Sequence, residues 1–580
     1  MSSKPPIKRQ SNVEQMLLVA VSIGLGVTFL LWLTGEVAGF LHSGGSWPRV
    51  SVGDMGVVVS RFFRSMGDPG AAWPASTRAS LPGPVIFYVV MAITLLILTA
   101  AYIYLAQAFR ALRRRLSSTV VVQHSPQGGA TGPSGWARPH LFRDLYVRGP
   151  QPRRVVIGRI SARLVAAEPL QSIIVLGPPG SQKTSGLAVP AVLEWDGPVL
   201  VACMKSDLIR HTMSQRWQKG EVYLYDPAAV TGLDASTWSP LPRCGTWQGA
   251  YRMARSLVDA GRAAGQASPD ADFLLNAAAT LMAALLMAAA TSDRSMGDVV
   301  RWVQRRERAE VTGALSVVGE PAANDAMQLV SSLTEQHRSQ VYAAVLGAIA
   351  GYTDPSVREG VLTNQFTAER LLDGRSNTAY VCAPAHEQRR LGPVFAALVQ
   401  DVIDLAYERS TQMGRPLDQP LLVVLDDAAT SAALPQLDVY ASTAAARGVQ
   451  LLTTFRHVGQ MQARYGDRAE TLLGNHKAKV ILSGVTDQPT LSVLSHLLED
   501  DAVRSLAAPR AAGAAAKDSD SLRAHYPSPG EALRRISPGQ GILLYGHLPP
   551  AHVTLRPWFR DRRLLGMVSD EAARLAEPLA

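Results

Sequence analysis

Eight residues, Gly177-Pro178-Pro179-Gly180-Ser181-Gln182-Lys183-Thr184, follow directly on the strand-like run Ser172-Ile173-Ile174-Val175-Leu176 and have the makings of a loop that grips phosphate. In such a turn, backbone N–H groups converge on phosphate oxygens, and the start of the following helix adds positive potential. Lys183 has the reach for the β- and γ-phosphates, Thr184 has the hydroxyl for Mg2+, and the stretch from Gly177 through Ser185 would line the nucleotide. ATP with Mg2+ is the first ligand such a segment suggests. The consensus G-x-x-x-x-G-K-[ST] has glycine where this chain has Gln182. If residue 182 must adopt a positive φ, a side chain there costs about 1 kcal/mol or more, whereas a right-handed helical conformation accepts it.

The second chemical landmark is Leu421-Leu422-Val423-Val424-Leu425-Asp426-Asp427, a continuous apolar strand ending in two carboxylates. Ligands of nucleotide-binding sheets gather at the carboxyl ends of strands, where these acids fall. Asp426 suits the coordination shell of Mg2+, and Asp427 could polarise an attacking water. Glutamate is the commoner second residue in ATPases of this kind, and aspartate is shorter by one methylene. Each motif alone has an ordinary reading, the first as a Gly-Pro turn and the second as a turn or helix cap. Their occurrence together, in order and on the expected elements, favours the chemical one.

The elements that must position these residues recur as short apolar runs: Ile173–Leu176, Val199–Cys203, Val222–Tyr225, Thr378–Cys382, Leu421–Leu425, Val449–Thr453, Lys479–Leu482 and Gly541–Tyr545. Several alternate with helix-length segments, as in a buried, mostly parallel α/β sheet. From about Thr246 to Ala350 that rhythm gives way to Ala-, Leu- and Met-rich stretches such as Phe273–Ala290, which predicts an all-helical insertion. The insertion also explains why about 240 residues separate the two motifs. A chain of 580 residues is too long for one ordinary core. The expected organisation is a membrane anchor over 1–116, a linker rich in Ser, Gly, Pro and Gln over 117–140, a nucleotide-binding domain over 141–245 and 361–580, and the all-α insertion over 246–360.

The anchor rests on two uncharged runs, about 15–35 and 84–107, the first of which spans about 30 Å as a helix. Lys4, Lys8 and Arg9 precede the first, and Arg110, Arg113, Arg114 and Arg115 follow the second, so both flanks are expected in the cytoplasm and the loop between them outside. A cleaved signal peptide is the alternative for the first run, but it leaves the second unexplained. These seven cations supply much of the formal net charge of +10, which weakens charge as an argument for nucleic acid. Cys203, Cys244 and Cys382 have no spacing suited to zinc or to a disulfide framework and read as reduced residues, Cys203 and Cys382 in strand cores. The stretch Arg504 to Ser521 reads as a mobile loop.

Further local signatures lie in order along the chain: Gly186-Leu187-Ala188-Val189-Pro190, Lys205-Ser206-Asp207, Tyr225-Asp226-Pro227, Trp238-Ser239-Pro240-Leu241, Ala446-Arg447-Gly448-Val449-Gln450, Gly459-Gln460-Met461, Tyr465-Gly466, Pro549-Pro550 and Pro557-Trp558-Phe559. With the two spans and the interrupted core, the chain resembles the type IV secretion coupling proteins of the TraG/TraD class, membrane-anchored ATPases of conjugative DNA transfer. The resemblance covers nearly the whole chain, and it departs from the family's pattern at Gln182, Asp427 and Arg456, the last standing where the family typically has glutamine.

The resemblance implies a P-loop, RecA-like α/β domain with an inserted all-α domain and a two-helix transmembrane anchor in the inner membrane. It implies a homo-hexameric ring that couples a relaxase–single-stranded DNA complex, or a protein, to the subunits of a type IV secretion channel, with the insertion recognising the substrate. Within such a ring Arg447 is the leading candidate for an arginine supplied to a neighbour's nucleotide, and its ordinary alternative is an arginine ending a helix before Gly448. Arg301, Arg305, Arg306 and Arg308 suit a DNA path or a solvated basic face equally. A docking scaffold with a degenerate nucleotide site is the second functional class, favoured by Gln182 and Asp427. A double-stranded DNA pump of the segregation type is disfavoured by two rather than four spans and by the lack of an evident C-terminal winged-helix segment.

Overall fold

The computed structural model describes residues 10–45, 47–48, 52–99, 139–261, 269–354, 357–358, 364–382, 384–494 and 536–568. They belong to two compact units, Met1–Ser125 and Pro126–Ala580.

In the first unit a 33-residue helix, Gln10–His42, runs through the first expected span, and a helix over Pro84–Thr99 occupies the start of the second. Residues 100–107, the flanking cations, and nearly all of the expected linker lie outside the described residues. Leu31, Met55, Phe62, Trp73 and Phe87 form a small core, with the Trp73 and Phe87 rings edge to face at 5.2 Å. Val85, Ile86, Val89, Ile93, Leu96 and Ile97 are exposed along the Pro84–Thr99 helix. Among the described residues, one helix is long and apolar enough to cross a membrane, Asp270–Thr291, and 67% of its most apolar 18-residue stretch is buried inside the second unit. It is the central helix of the insertion, apolar all round because other helices surround it.

The second unit is built on a twelve-stranded sheet. In chain order the strands are β1 (Tyr146–Val147), β2 (Val156–Ile160), β3 (Arg163–Ala166), β4 (Ile173–Leu176), β5 (Val199–Cys203), β6 (Val222–Tyr225), β7 (Thr378–Cys382), β8 (Leu421–Leu425), β9 (Val449–Phe455), β10 (Ala478–Leu482), β11 (Gln540–Tyr545) and β12 (Leu548–Thr554). Their order in space is β1-β3-β2-β12-β11-β10-β4-β9-β8-β5-β7-β6. From β10 to β6 every pairing is parallel, and from β10 to β1 every pairing is antiparallel. All eight strand runs read from the sequence are strands. β1, β2, β3 and β12 escaped that reading and form most of the antiparallel flank.

The parallel strands carry unbroken apolar runs because both sheet faces are covered. Ile174, Leu200, Val423 and Leu451 face one core, and their neighbours Val175, Val201, Val424 and Leu452 face the other. Between β6 and β7 in chain order the chain is helical, from Trp247–Gly261 through Glu335–Ala348. The buried side chains of these helices, Leu257, Leu281, Met282 and Leu285 among them, continue the core of the first face without a break.

Two of the four arginines in the basic stretch of the insertion are paired with acids. Arg301 donates to Asp298 and Glu310, at 3.0 and 3.1 Å, and Arg306 donates to Glu335 at 2.7 Å and lies over the Tyr342 ring. Arg305 and Arg308 are exposed.

Candidate nucleotide-binding site

In the parallel half of the sheet, β4 is followed in sequence by β5, yet β9 and β8 lie between them in space. The chain therefore leaves the carboxyl end of β4 at a crevice whose other wall is made by strands more than two hundred residues away. Four short segments meet there: the loop after β4, the ends of β8 and β9, and the first turn of the helix Val458–Tyr465.

The loop turns on two positive-φ residues, Gly180 at +83° and Gln182 at +67°. Gln182 thus adopts the strained alternative, the left-handed region that a side chain disfavours. The Gly177 N–H donates to the Phe455 carbonyl oxygen at 3.0 Å, which ties the loop to the end of β9, and the Gly186 N–H donates back to the Gln182 carbonyl at 2.8 Å. The helix opens over Thr184–Ala188 as a wide turn bonded i to i+5, then tightens into an α-helix over Val189–Glu194. Single turns of this width recur at functional sites. Pro178 packs at the loop's outer side near Gly484, and Ser185 lies in the wide turn, half-buried.

Thr184 and Asp426 meet directly: the hydroxyl donates to Asp426 Oδ2 at 2.7 Å. Thr454 on β9, which the sequence reading passed over, donates to Asp426 Oδ1 at 2.9 Å, and its hydroxyl oxygen accepts the Asp427 N–H at 2.9 Å. Burial pushes the Asp426 carboxyl above its usual range, opposed by those two hydroxyls and by Lys183. Burial likewise pulls the Lys183 ammonium down, opposed by Asp426 and Asp427 and reinforced by Arg456 and Lys205. Lys183, Lys205 and Arg456 thus set three cations around two carboxylates, a surplus suited to a polyanion.

Asp427 sits in the left-handed region at φ +60°, buried, with both oxygens engaged. Arg456 donates from Nε and Nη2 to Oδ2, at 2.8 and 2.7 Å, and Gln460 Nε2 donates to Oδ1 at 2.7 Å. The structure places Arg447 elsewhere. It ends the helix Leu437–Arg447 before Gly448, donates to the Thr411 hydroxyl at 3.0 Å and lies over the Tyr407 ring. That is the amino end of β9, and the crevice is at the carboxyl end, about 20 Å along the strand. Within its own chain Arg447 is therefore no part of the pocket.

The arrangement fits a metal–triphosphate. Among the described residues, Ser181 Oγ is buried without a hydrogen-bond partner inside the loop, and Lys183 Nζ has only the Gly177 carbonyl oxygen, at 3.2 Å. Thr184 and Asp426 offer hard oxygens side by side, and no cluster of three or more His, Cys, Asp or Glu occurs among the described residues. Mg2+ is held in this way, by one or two protein oxygens together with phosphates and water.

Residues 144–523 match the family described as type IV secretory system conjugative DNA transfer. The chain belongs to that family. Among curated relatives of this coupling-protein family, a conjugal transfer protein TraG of Escherichia coli is 22% identical over 326 residues, 51% of this chain and 49% of TraG. A second TraG of Escherichia coli is 21% identical over 332 residues. The chain spans about half the length of the curated relatives it matches. The bacterial conjugative coupling protein TrwB, in a trigonal form with sulphate, superposes with a TM-score of 0.53 at 14% identity over 75% of this chain and 96% of TrwB. TrwB in complex with the non-hydrolysable ATP analogue ADPNP gives a TM-score of 0.52 with the same identity and coverage. At that identity the likeness is one of fold, the coupling-protein family's α/β core.

Proposed function

We propose that this chain is a membrane-anchored ATPase of conjugative DNA transfer, coupling a relaxase-bound single-stranded DNA or protein substrate to a type IV secretion channel as a homo-hexameric ring. The observation that carries the nucleotide reading is the contact between Thr184 and Asp426, which joins the phosphate-type loop and the acidic strand in one crevice. Gly177 to Ser185 wrap the phosphates, Lys183 balances their charge, and Thr184 and Asp426 offer two oxygens to Mg2+. Bound Mg2+ supplies charge neutralisation where the phosphates meet. Asp427 is the group nearest to hand for orienting water, and Arg447 is left for a neighbouring subunit's site.

Membership of the family and the ADPNP complex of TrwB support ATP as the nucleotide. The exposed Val85, Ile86, Val89, Ile93, Leu96 and Ile97 support the anchor, since a helix with apolar side chains turned outward suits lipid. The test is ATP hydrolysis by the full chain with and without single-stranded DNA, beside Lys183→Ala. We expect turnover stimulated by DNA and lost by two orders of magnitude or so in the variant. Equal rates in the two proteins would refute it. The second reading, a docking scaffold that binds nucleotide without turning it over, is favoured by the engagement of both Asp427 oxygens. Tight Mg-ATP binding without hydrolysis under any DNA condition would select it.

A further inference from the structure

The second acid of the site is held shut by side chains of its own chain. Arg456 puts two donors on Asp427 Oδ2, at 2.8 and 2.7 Å, and Gln460 puts one on Oδ1 at 2.7 Å. Gln460 is itself fixed, because its Oε1 accepts the Arg456 N–H at 2.9 Å. Arg456 and Gln460 therefore form one clasp, closed by the first turn of the helix Val458–Tyr465. A carboxylate with two donors on one oxygen and one on the other has little lone-pair capacity left for a water proton.

The clasp is asymmetric in exposure. The Asp427 side chain is 6% exposed and that of Arg456 is 41% exposed. Arg456 Nη1 makes no hydrogen bond among the described residues. Arg456 directly follows Phe455, whose carbonyl oxygen accepts the Gly177 N–H at the start of the loop after β4, at 3.0 Å. A half-exposed guanidinium next to the loop's anchor on β9, with one nitrogen spare, has room to take a second partner by side-chain rotation. Guanidinium groups bind phosphate in the same forked geometry as carboxylate.

We propose that Arg456 is a clasp on Asp427 that opens towards the terminal phosphate of a nucleoside triphosphate, so that this chain distinguishes triphosphate from diphosphate in its own subunit. Opening transfers the Arg456 donors from Asp427 to phosphate and returns the Oδ2 lone pairs of Asp427 to the site. With a diphosphate the clasp stays closed. The inference rests on the proposed nucleotide site and adds to it the residue that reads the third phosphate.

The test is calorimetric affinity of the full chain for Mg-ADP and for a Mg-bound non-hydrolysable ATP analogue, with Arg456→Gln and Asp427→Asn as variants. We expect the native protein to prefer the triphosphate, Arg456→Gln to lose that preference by about tenfold with Mg-ADP affinity kept, and Asp427→Asn to strengthen it because the arginine is released. Opposite shifts in the two variants separate a phosphate-reading arginine from one that braces the acid, since a brace would move both variants the same way. An unchanged preference in Arg456→Gln, no preference in the native protein, or loss of Mg-ADP binding in Arg456→Gln would each overturn the proposal. Native protein that binds neither nucleotide would instead remove the proposed site itself, and this inference with it.

Discussion

Gln182 stands where the loop after β4 most favours a residue without a side chain. Its φ of +67° is one that glycine adopts freely and glutamine does not. Its Oε1 is buried without a hydrogen-bond partner among the described residues, and it lies over Gly539, where an added Cβ would come within 2.4 Å of that oxygen. Both features oppose the native state. Gln182→Gly is therefore expected to stabilise the chain by about 0.5–1 kcal/mol, read as a higher urea midpoint with Mg-ATP affinity retained. A lower midpoint would mean that the glutamine side chain contributes packing that outweighs its backbone strain. The sequence posed this choice between two conformations but did not settle it. The φ of one residue depends on what the loop is bonded to, here the Phe455 carbonyl at the end of a strand far away in the chain.

At the scale of elements, β9 does most to organise the site. It separates the loop strand from the acidic strand, and it carries Thr454 and leads into Arg456. Its Thr453 hydroxyl lies 3.0 Å from Nε2 of His476, whose Nδ1 lies 2.8 Å from the Leu472 carbonyl oxygen, so the ring clamps β9 to the end of the helix Arg468–Asn475. Burial pulls the imidazole down to about 4. A folded value below the unfolded one, near 6.5, means that the unfolded chain takes the proton first. The stability from neutral His476 is thus full above pH 6.5 and is lost as pH falls toward 4, by about 1.4 kcal/mol per unit across that window. Urea midpoints should fall more steeply over this range in the native protein than in His476→Asn, and parallel slopes would contradict the assignment.

Element legibility followed the same physics. The parallel strands were readable because burial on both faces leaves a run of apolar residues with nothing to interrupt it. β12 was not, since Pro549 and Pro550 argue against a strand. The structure accommodates them where the register between β11 and β12 shifts, between Leu543 and Tyr545. β2 and β3 were hidden by Arg159 and Arg163, polar positions on a flank with one face partly open.

At the scale of the whole molecule, the position of Arg447 separates what one subunit holds from what an assembly would supply. It lies at the end of the sheet opposite the crevice and is bonded to Thr411. A trans role therefore predicts that Arg447→Ala lowers turnover by about three orders of magnitude or more while Mg-ATP affinity stays near native. Turnover within a few-fold of native would leave it as the cap of its helix. In the insertion, the ion pairs of Arg301 and Arg306 leave Arg305 and Arg308 as the exposed cations of that basic stretch with no ion pair among the described residues.

The sequence by itself determined the seven parallel strands and the helical nature of the stretch between β6 and β7, and it pointed to the loop after β4 and the acids after β8 as the candidate site. Each depends on local composition and periodicity, which survive in a linear chain. Tertiary structure decided that β9 lies between the two motifs, that Thr454 bridges the acids, that Asp427 is clasped by Arg456 and Gln460, and that Arg447 faces away. Those facts depend on strand order, because residues distant in the chain become neighbours only when a crossover sets which strand lies beside which.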